Sequence, residues 1–113
     1  AIDAFAAHVC GPQALDLLGR ARTEASHAAA RAFAADFGAS ARWSLPPRAL
    51  RAIEAPVTIV VGERSERVWH DAARALEETL PRAELVVAAA SGHLVPIEAP
   101  DVLADAIRRL AQP

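Results

Sequence analysis

Ser91-Gly92-His93-Leu94-Val95-Pro96-Ile97-Glu98-Ala99-Pro100 joins two patterns that belong to different kinds of element. Before it runs Leu85-Val86-Val87-Ala88, short and apolar like a buried strand. After it, Val102, Leu103, Ala106, Ile107 and Leu110 recur at helical spacing over residues 101–111, with Pro100 in a favoured first-turn position. The order strand, glycine, histidine, loop, helix puts an imidazole at the carboxyl end of a strand. Open parallel sheets keep their reactive groups there.

Upstream, Val57-Thr58-Ile59-Val60-Val61 is almost wholly β-branched and apolar on both faces, which suits a central parallel strand ended by Gly62. Val68, Ala72, Leu76 and Leu80 recur every four residues and predict an amphipathic helix over residues 68–80, stopped by Pro81. Strand, helix and strand fit within about thirty residues, the size of one βαβ crossover, so the two strands should be parallel neighbours.

Residues 1–45 contain no strand pattern. Ile2, Phe5, Ala6 and Val9 make a short helical stripe stopped by Gly11-Pro12, and Leu15, Leu17 and Leu18 suggest a second short helix before Gly19. A third helix is expected over residues 23–37, capped by Thr23 or Ser26 and ended by Gly38. Its alanines favour the helix but bury little area, so Phe33 and Phe37 must anchor it. Residues 38–54 form a connection, in which Pro46-Pro47 cannot continue a helix and residues 49–53 allow one turn. The expected organisation is a helical layer over residues 1–45 and a sheet portion over residues 46–113.

Composition narrows the function. A chain of 113 residues, 53% of them hydrophobic, makes at most one ordinary domain and can bury a core. A net charge of −2 with both signs interspersed gives no electrostatic case for nucleic acid or an anionic membrane surface. No stretch approaches the ~18 apolar residues of a membrane span, and the start lacks the basic region of a signal peptide. Cys10 is the only cysteine, so no internal disulfide forms and a reducing, cytoplasmic setting is expected. The chain has no methionine at all, an indication that residue 1 is not the natural start.

Taken in order, the proline-led strand over residues 56–62, the helix ending at Leu80-Pro81, Ser91-Gly92-His93 and Glu98-Ala99-Pro100 resemble the carboxyl-terminal third of an α/β-hydrolase. The resemblance covers residues 53–112, and residues 1–45 fit the family's variable helical cap by position and helicity. It implies an α/β class: a partial α/β-hydrolase fold, with a helical cap segment followed by a βαβα unit of parallel strands. It also implies hydrolysis of an ester, lactone, amide or related carbonyl in a small-molecule substrate, without a cofactor.

His93 matches the family's catalytic histidine. An imidazole with an ordinary pKa of about 6.5 can take a nucleophile's proton and return it to the leaving group near neutral pH. The bland alternative is a loop histidine that hydrogen-bonds the backbone; the surrounding strand-loop-helix frame favours catalysis. The catalytic acid commonly stands three residues after the strand-ending glycine, and here Ser65 occupies that place. Serine cannot supply the charge that stabilises an imidazolium. Glu66, adjacent and longer, and a carboxylate upstream of this chain are equal alternatives; Glu63 and Asp71 are less well placed. A third option leaves Glu63 and Glu66 as surface ion-pair partners of Arg64 and Arg67.

The nucleophile is missing. No Gly-x-Ser-x-Gly elbow or cysteine or aspartate equivalent occurs, and no serine among Ser26, Ser40, Ser44, Ser65 and Ser91 follows a strand in a glycine-flanked turn. The chain alone should therefore be inert as an esterase, needing a missing amino-terminal half or a companion chain. Otherwise it is a non-catalytic remnant with a binding or structural role, or an unrelated βαβ module. Trp43, Trp69 and Leu94 are candidates to line a substrate pocket, although aromatics more often fill a cap-core interface. His8, Cys10 and His27 lack the paired spacing of a zinc site. Gly62 does not begin a dinucleotide fingerprint.

Overall fold

The computed structural model describes residues 2–112, residue 14 by its backbone only. In chain order the elements are α1 (Ile2–Cys10), α2 (Ala14–Ala28), α3 (Ala30–Ser40), α4 (Pro47–Arg51), β1 (Val57–Gly62), α5 (Arg67–Thr79), β2 (Ala83–Ala88), α6 (Val95–Glu98) and α7 (Pro100–Leu110). The chain divides between Leu45 and Pro46 into two compact units.

In the second unit, β1 and β2 pair in parallel, in register from Val57 opposite Ala83 to Gly62 opposite Ala88. The strands are joined by α5, so strand, helix and strand make one crossover unit. Pro56 lacks an amide proton, and the ladder begins one residue later, where the Val57 N–H donates to the Arg82 carbonyl at 2.9 Å. The core gathers where the helices meet the strand ends: Val61, Ala73, Leu80, Ala88, Val95 and Ala106 are its buried apolar side chains.

Two strands cover less of each helix than the sequence pattern anticipates. Along α5 the side chain that is buried is Ala73, while Leu76 is 37% and Val68 63% exposed. Likewise Ala106 is the buried position of α7, and Ile107 and Leu110 stay open. The helical faces are amphipathic as expected; a two-stranded sheet is narrower than the apolar stripe each helix presents.

In the first unit, Gly11 at φ 95° follows α1, and Gly19 at φ 73° and ψ 165° breaks the helical path within α2. Helix resumes after Gly19, four residues ahead of Thr23, so the two expected caps lie inside it. The Thr23 hydroxyl donates to the Gly19 carbonyl at 3.0 Å and that of Ser26 to the Arg22 carbonyl at 2.9 Å, which is back-bonding within a helix. A break at Ala29 separates α2 from α3, and no glycine or proline marks it. Gly38 does not end α3, which runs on to Ser40, because its backbone is not left-handed. Phe5 meets Phe33 edge-on at 4.9 Å and Phe37 at 5.7 Å, but Phe37 stays 57% exposed, so the anchoring expected of Phe33 and Phe37 is met only in part. The His27 Nε2 lies 2.6 Å from an Asp3 carboxylate oxygen, tying α2 to α1.

Candidate active site

The site is built where the two strands stop. Glu63 and Arg64, just past β1, donate backbone N–H groups to the carbonyls of Ala88 at 2.9 Å and Ser91 at 2.8 Å. In return, the Ala90 N–H donates to the Glu63 carboxylate at 2.7 Å. These bonds hold Ala90 at φ 55°, the one non-glycine residue with positive φ among the described residues. Gly62 makes the approach possible. A Cβ there would stand 1.9 Å from the Gly92 carbonyl oxygen and 2.6 Å from that of Ser91.

Beyond β2 the chain turns through Ser91, which is fully buried, to Gly92 and His93. One helical turn, α6, then brings Glu98 back onto the loop. A Glu98 carboxylate oxygen accepts the Gly92 N–H at 2.7 Å, and the Ser91 hydroxyl lies 3.4 Å from the same oxygen. The Glu98 side chain is only 9% exposed, with the Arg64 guanidinium 3.9 Å away. A short bond from an amide to an ionised carboxylate is among the stronger hydrogen bonds a loop can make.

So held, the half-buried His93 ring faces Trp69 from the first turn of α5, with centroids 4.6 Å apart and planes tilted by 37°. The two rings border an apolar groove of about 270 Å³ along β1 and α5, with Ile59, Val61, Ala72 and Leu76 among its walls. Ser65 is at the same groove, and its hydroxyl is buried with no hydrogen-bond partner among the described residues. That is an uncommon state for a buried polar atom.

The candidates from the sequence divide as follows. His93 and Trp69 come together. Glu66 is exposed at the N-cap of α5, and its carboxylate makes no capping bond. No hydrogen bond reaches the His93 imidazole from Glu66, Ser65 or any other described residue. Leu94 is half-buried at the N-cap of α6, where its carbonyl accepts the Ile97 and Glu98 N–H groups, while Val95 is the neighbour that lines the groove. Trp43 belongs to the first unit, where it is 70% exposed beside Asp36, Ala39 and Ser40. The surface pairs considered for Glu63 and Glu66 are not the ones formed: Glu63 binds the Ala90 amide, Arg67 pairs with Asp71 at 3.4 Å, and Arg64 lies near Glu98. Glu98, quoted in the sequence only as part of a family pattern, is the carboxylate that accepts the N–H of Gly92, the residue before His93. Among the described residues no group of three or more His, Cys, Asp or Glu side chains could hold a metal ion, and no helix is long and apolar enough to cross a membrane.

No protein-family model matches this chain, and no curated protein matches it. One similar solved structure is the 2-hydroxy-6-oxo-6-phenylhexa-2,4-dienoate hydrolase (BphD) from Rhodococcus sp. strain RHA1. It shares 26% identity with a TM-score of 0.56, over 61% of this chain and 25% of that one. The chain thus spans about a quarter of that enzyme's length. BphD is an α/β-hydrolase. With its parallel crossover, glycine-histidine loop and closing helix, this chain carries a partial α/β-hydrolase fold.

Proposed function

We propose that the chain is the carboxyl-terminal, histidine-bearing portion of an α/β-hydrolase whose nucleophile lies outside these 113 residues. The observation that carries this reading is His93 itself, held at the carboxyl end of β2 by a bonded loop and turned to an apolar groove. In the assembled enzyme the imidazole takes the nucleophile's proton and returns it to the leaving group. Glu66 or a carboxylate from outside the chain orients it. Residues 1–45 are the helical cap of that enzyme, and Trp43, Trp69 and Leu94 are candidate substrate contacts. The substrate class is a small ester, lactone, amide or related carbonyl, handled in the cytoplasm. The hydrolytic activity in BphD's name supports the reaction type.

The partner supplying the nucleophile is a preceding half of the same polypeptide or a companion chain. The uncharged sequence of β1, which among the described residues pairs with β2 alone, supports the need for one: an unpaired strand edge of this kind invites a further strand. Native mass spectrometry of the protein from its own source tests this. A longer chain, or a stable companion bearing a nucleophile elbow, is expected; a lone 11.9 kDa species would count against it. In the nucleophile-bearing form, His93→Ala should lower kcat by about 10²–10⁴-fold.

A second reading has its own observation. Ser65 stands in the acid's place with an unpartnered hydroxyl, and no carboxylate bonds His93. A non-catalytic, hydrolase-like binding or structural protein accounts for both. An intact nucleophile-bearing form that hydrolyses no carbonyl substrate, and loses nothing on His93→Ala, would favour it.

A further inference from the structure

We propose that Glu98 is a positioning residue, which sets where His93 stands by accepting the Gly92 amide proton; its importance for catalysis rests on the reading of His93 given above. Three facts converge. The bond is short, at 2.7 Å, and its acceptor is a carboxylate shielded from water. Gly92 is shaped for it, since a Cβ at that position would meet the two Glu98 oxygens at 3.0 and 3.4 Å. The bonded amide is one peptide from His93, so a shift of Gly92 is passed directly to the ring. On the other side, the Gly92 carbonyl oxygen stands where a Gly62 Cβ would be, so residue 92 is confined at both its N–H and its carbonyl. Glu98 touches no reacting atom. It acts on the imidazole through the backbone, and the single turn of α6 is the device that returns it to the loop.

The readout is the ring pair. With Trp43→Phe as background, Trp69 is the one indole, and an imidazolium in contact with an indole quenches its fluorescence. Emission of the full chain is followed from pH 8 to pH 5, the range in which histidines charge. The unsubstituted background should lose emission on acidification, and His93→Ala should abolish that step, which separates it from any effect of the neighbouring His70. Glu98→Ala should reduce the step at least two-fold, and Glu98→Gln should keep it, because the amide oxygen still accepts the proton. Gly92→Ala, whose methyl would stand 3.0 Å from a Glu98 oxygen, should displace the carboxylate by only a few tenths of an ångström and so reduce the step less than Glu98→Ala does. A full quenching step in Glu98→Ala, a lost step in Glu98→Gln, or a step that survives His93→Ala would each overturn the proposal. Should Glu98→Ala fail to fold, amide exchange in the unsubstituted chain decides. Gly92 should exchange at least ten-fold slower than in the unfolded chain, and an unprotected amide would overturn the assignment. Loss of the step with full hydrolysis in His93→Ala of the nucleophile-bearing form would refute the catalytic reading and leave Glu98's role intact.

Discussion

Gly62→Ala tests the glycine position at which an added Cβ would have the least room. The added methyl would lie 1.9 Å from the Gly92 carbonyl oxygen, whereas ordinary contact starts at 3.4 Å, so one backbone must retreat by about 1.5 Å. A movement of that size exceeds what the 2.8 Å bond from Arg64 to Ser91 and the 2.7 Å bond from Gly92 to Glu98 can follow. Overpacking alone costs about 1–3 kcal/mol, and two broken hydrogen bonds add roughly 1 kcal/mol each. The expected loss is therefore about 3–5 kcal/mol. A unit of about 70 residues holds only about 3–10 kcal/mol in total, so the loss takes from about a third of that stability to all of it. Gly38→Ala is the matched control: its methyl meets only an Arg42 nitrogen at 3.9 Å, within α3. Removing a helical glycine there should stabilise the first unit by about 0.5–1 kcal/mol. Urea titrations followed by Trp69 fluorescence, in the Trp43→Phe background, and by far-UV circular dichroism read both. A Gly62→Ala midpoint within about 0.5 kcal/mol of the parent would refute the close-approach argument, since no left-handed backbone at Gly62 offers a second explanation.

Two further substitutions probe the same unit. Ala90→Gly relieves a left-handed alanine at φ 55°. Left-handed backbone costs a non-glycine residue about 1–2 kcal/mol, part of which is offset by the freer unfolded chain. A net gain near 0.5 kcal/mol should appear as a raised urea midpoint. Leu80→Ala removes a buried side chain, 8% exposed, where α5 turns into β2, and should cost about 2–4 kcal/mol in the same titration. An unchanged midpoint there would mean that the core does not extend to this end of the helix.

What the sequence discloses depends on whether a signal is local. The β-branched run 57–61 and the four-residue repeat from Val68 to Leu80 carry their own geometry, and β1 and α5 form as expected. Which part of a helical stripe is buried is not local information. The exposure of Val68 and Ile107 depends on how many strands lie beneath them. Helix starts in the first unit are misplaced for a related reason: Thr23 and Ser26 have the chemistry of caps, but Gly19 restarts the helix earlier and leaves them bonding backwards.

The same distinction separates the two halves of the site. Gly92-His93 is a pair of neighbours in sequence and is visible as a motif, whereas the groups that fix it come from 28 to 30 residues upstream or six downstream of Gly92. Nothing in residues 62–64 taken alone says that Gly62 must admit the Gly92 carbonyl, that Glu63 will bind the Ala90 amide, or that Arg64 will bond Ser91. Those pairings follow from the parallel register, which sets Gly62 opposite Ala88 and so places both post-strand turns side by side. Glu98 is the instructive case. In the sequence it stands only as part of the Glu98-Ala99-Pro100 pattern that precedes the last helix. Once α6 forms, that carboxylate points to Gly92 and leaves the solvent, and the sequence carries a single trace of it: Gly92 is a residue with no side chain to block the way. A glycine next to a histidine is therefore better read as a question about which distant acceptor approaches the backbone than as a mark of flexibility.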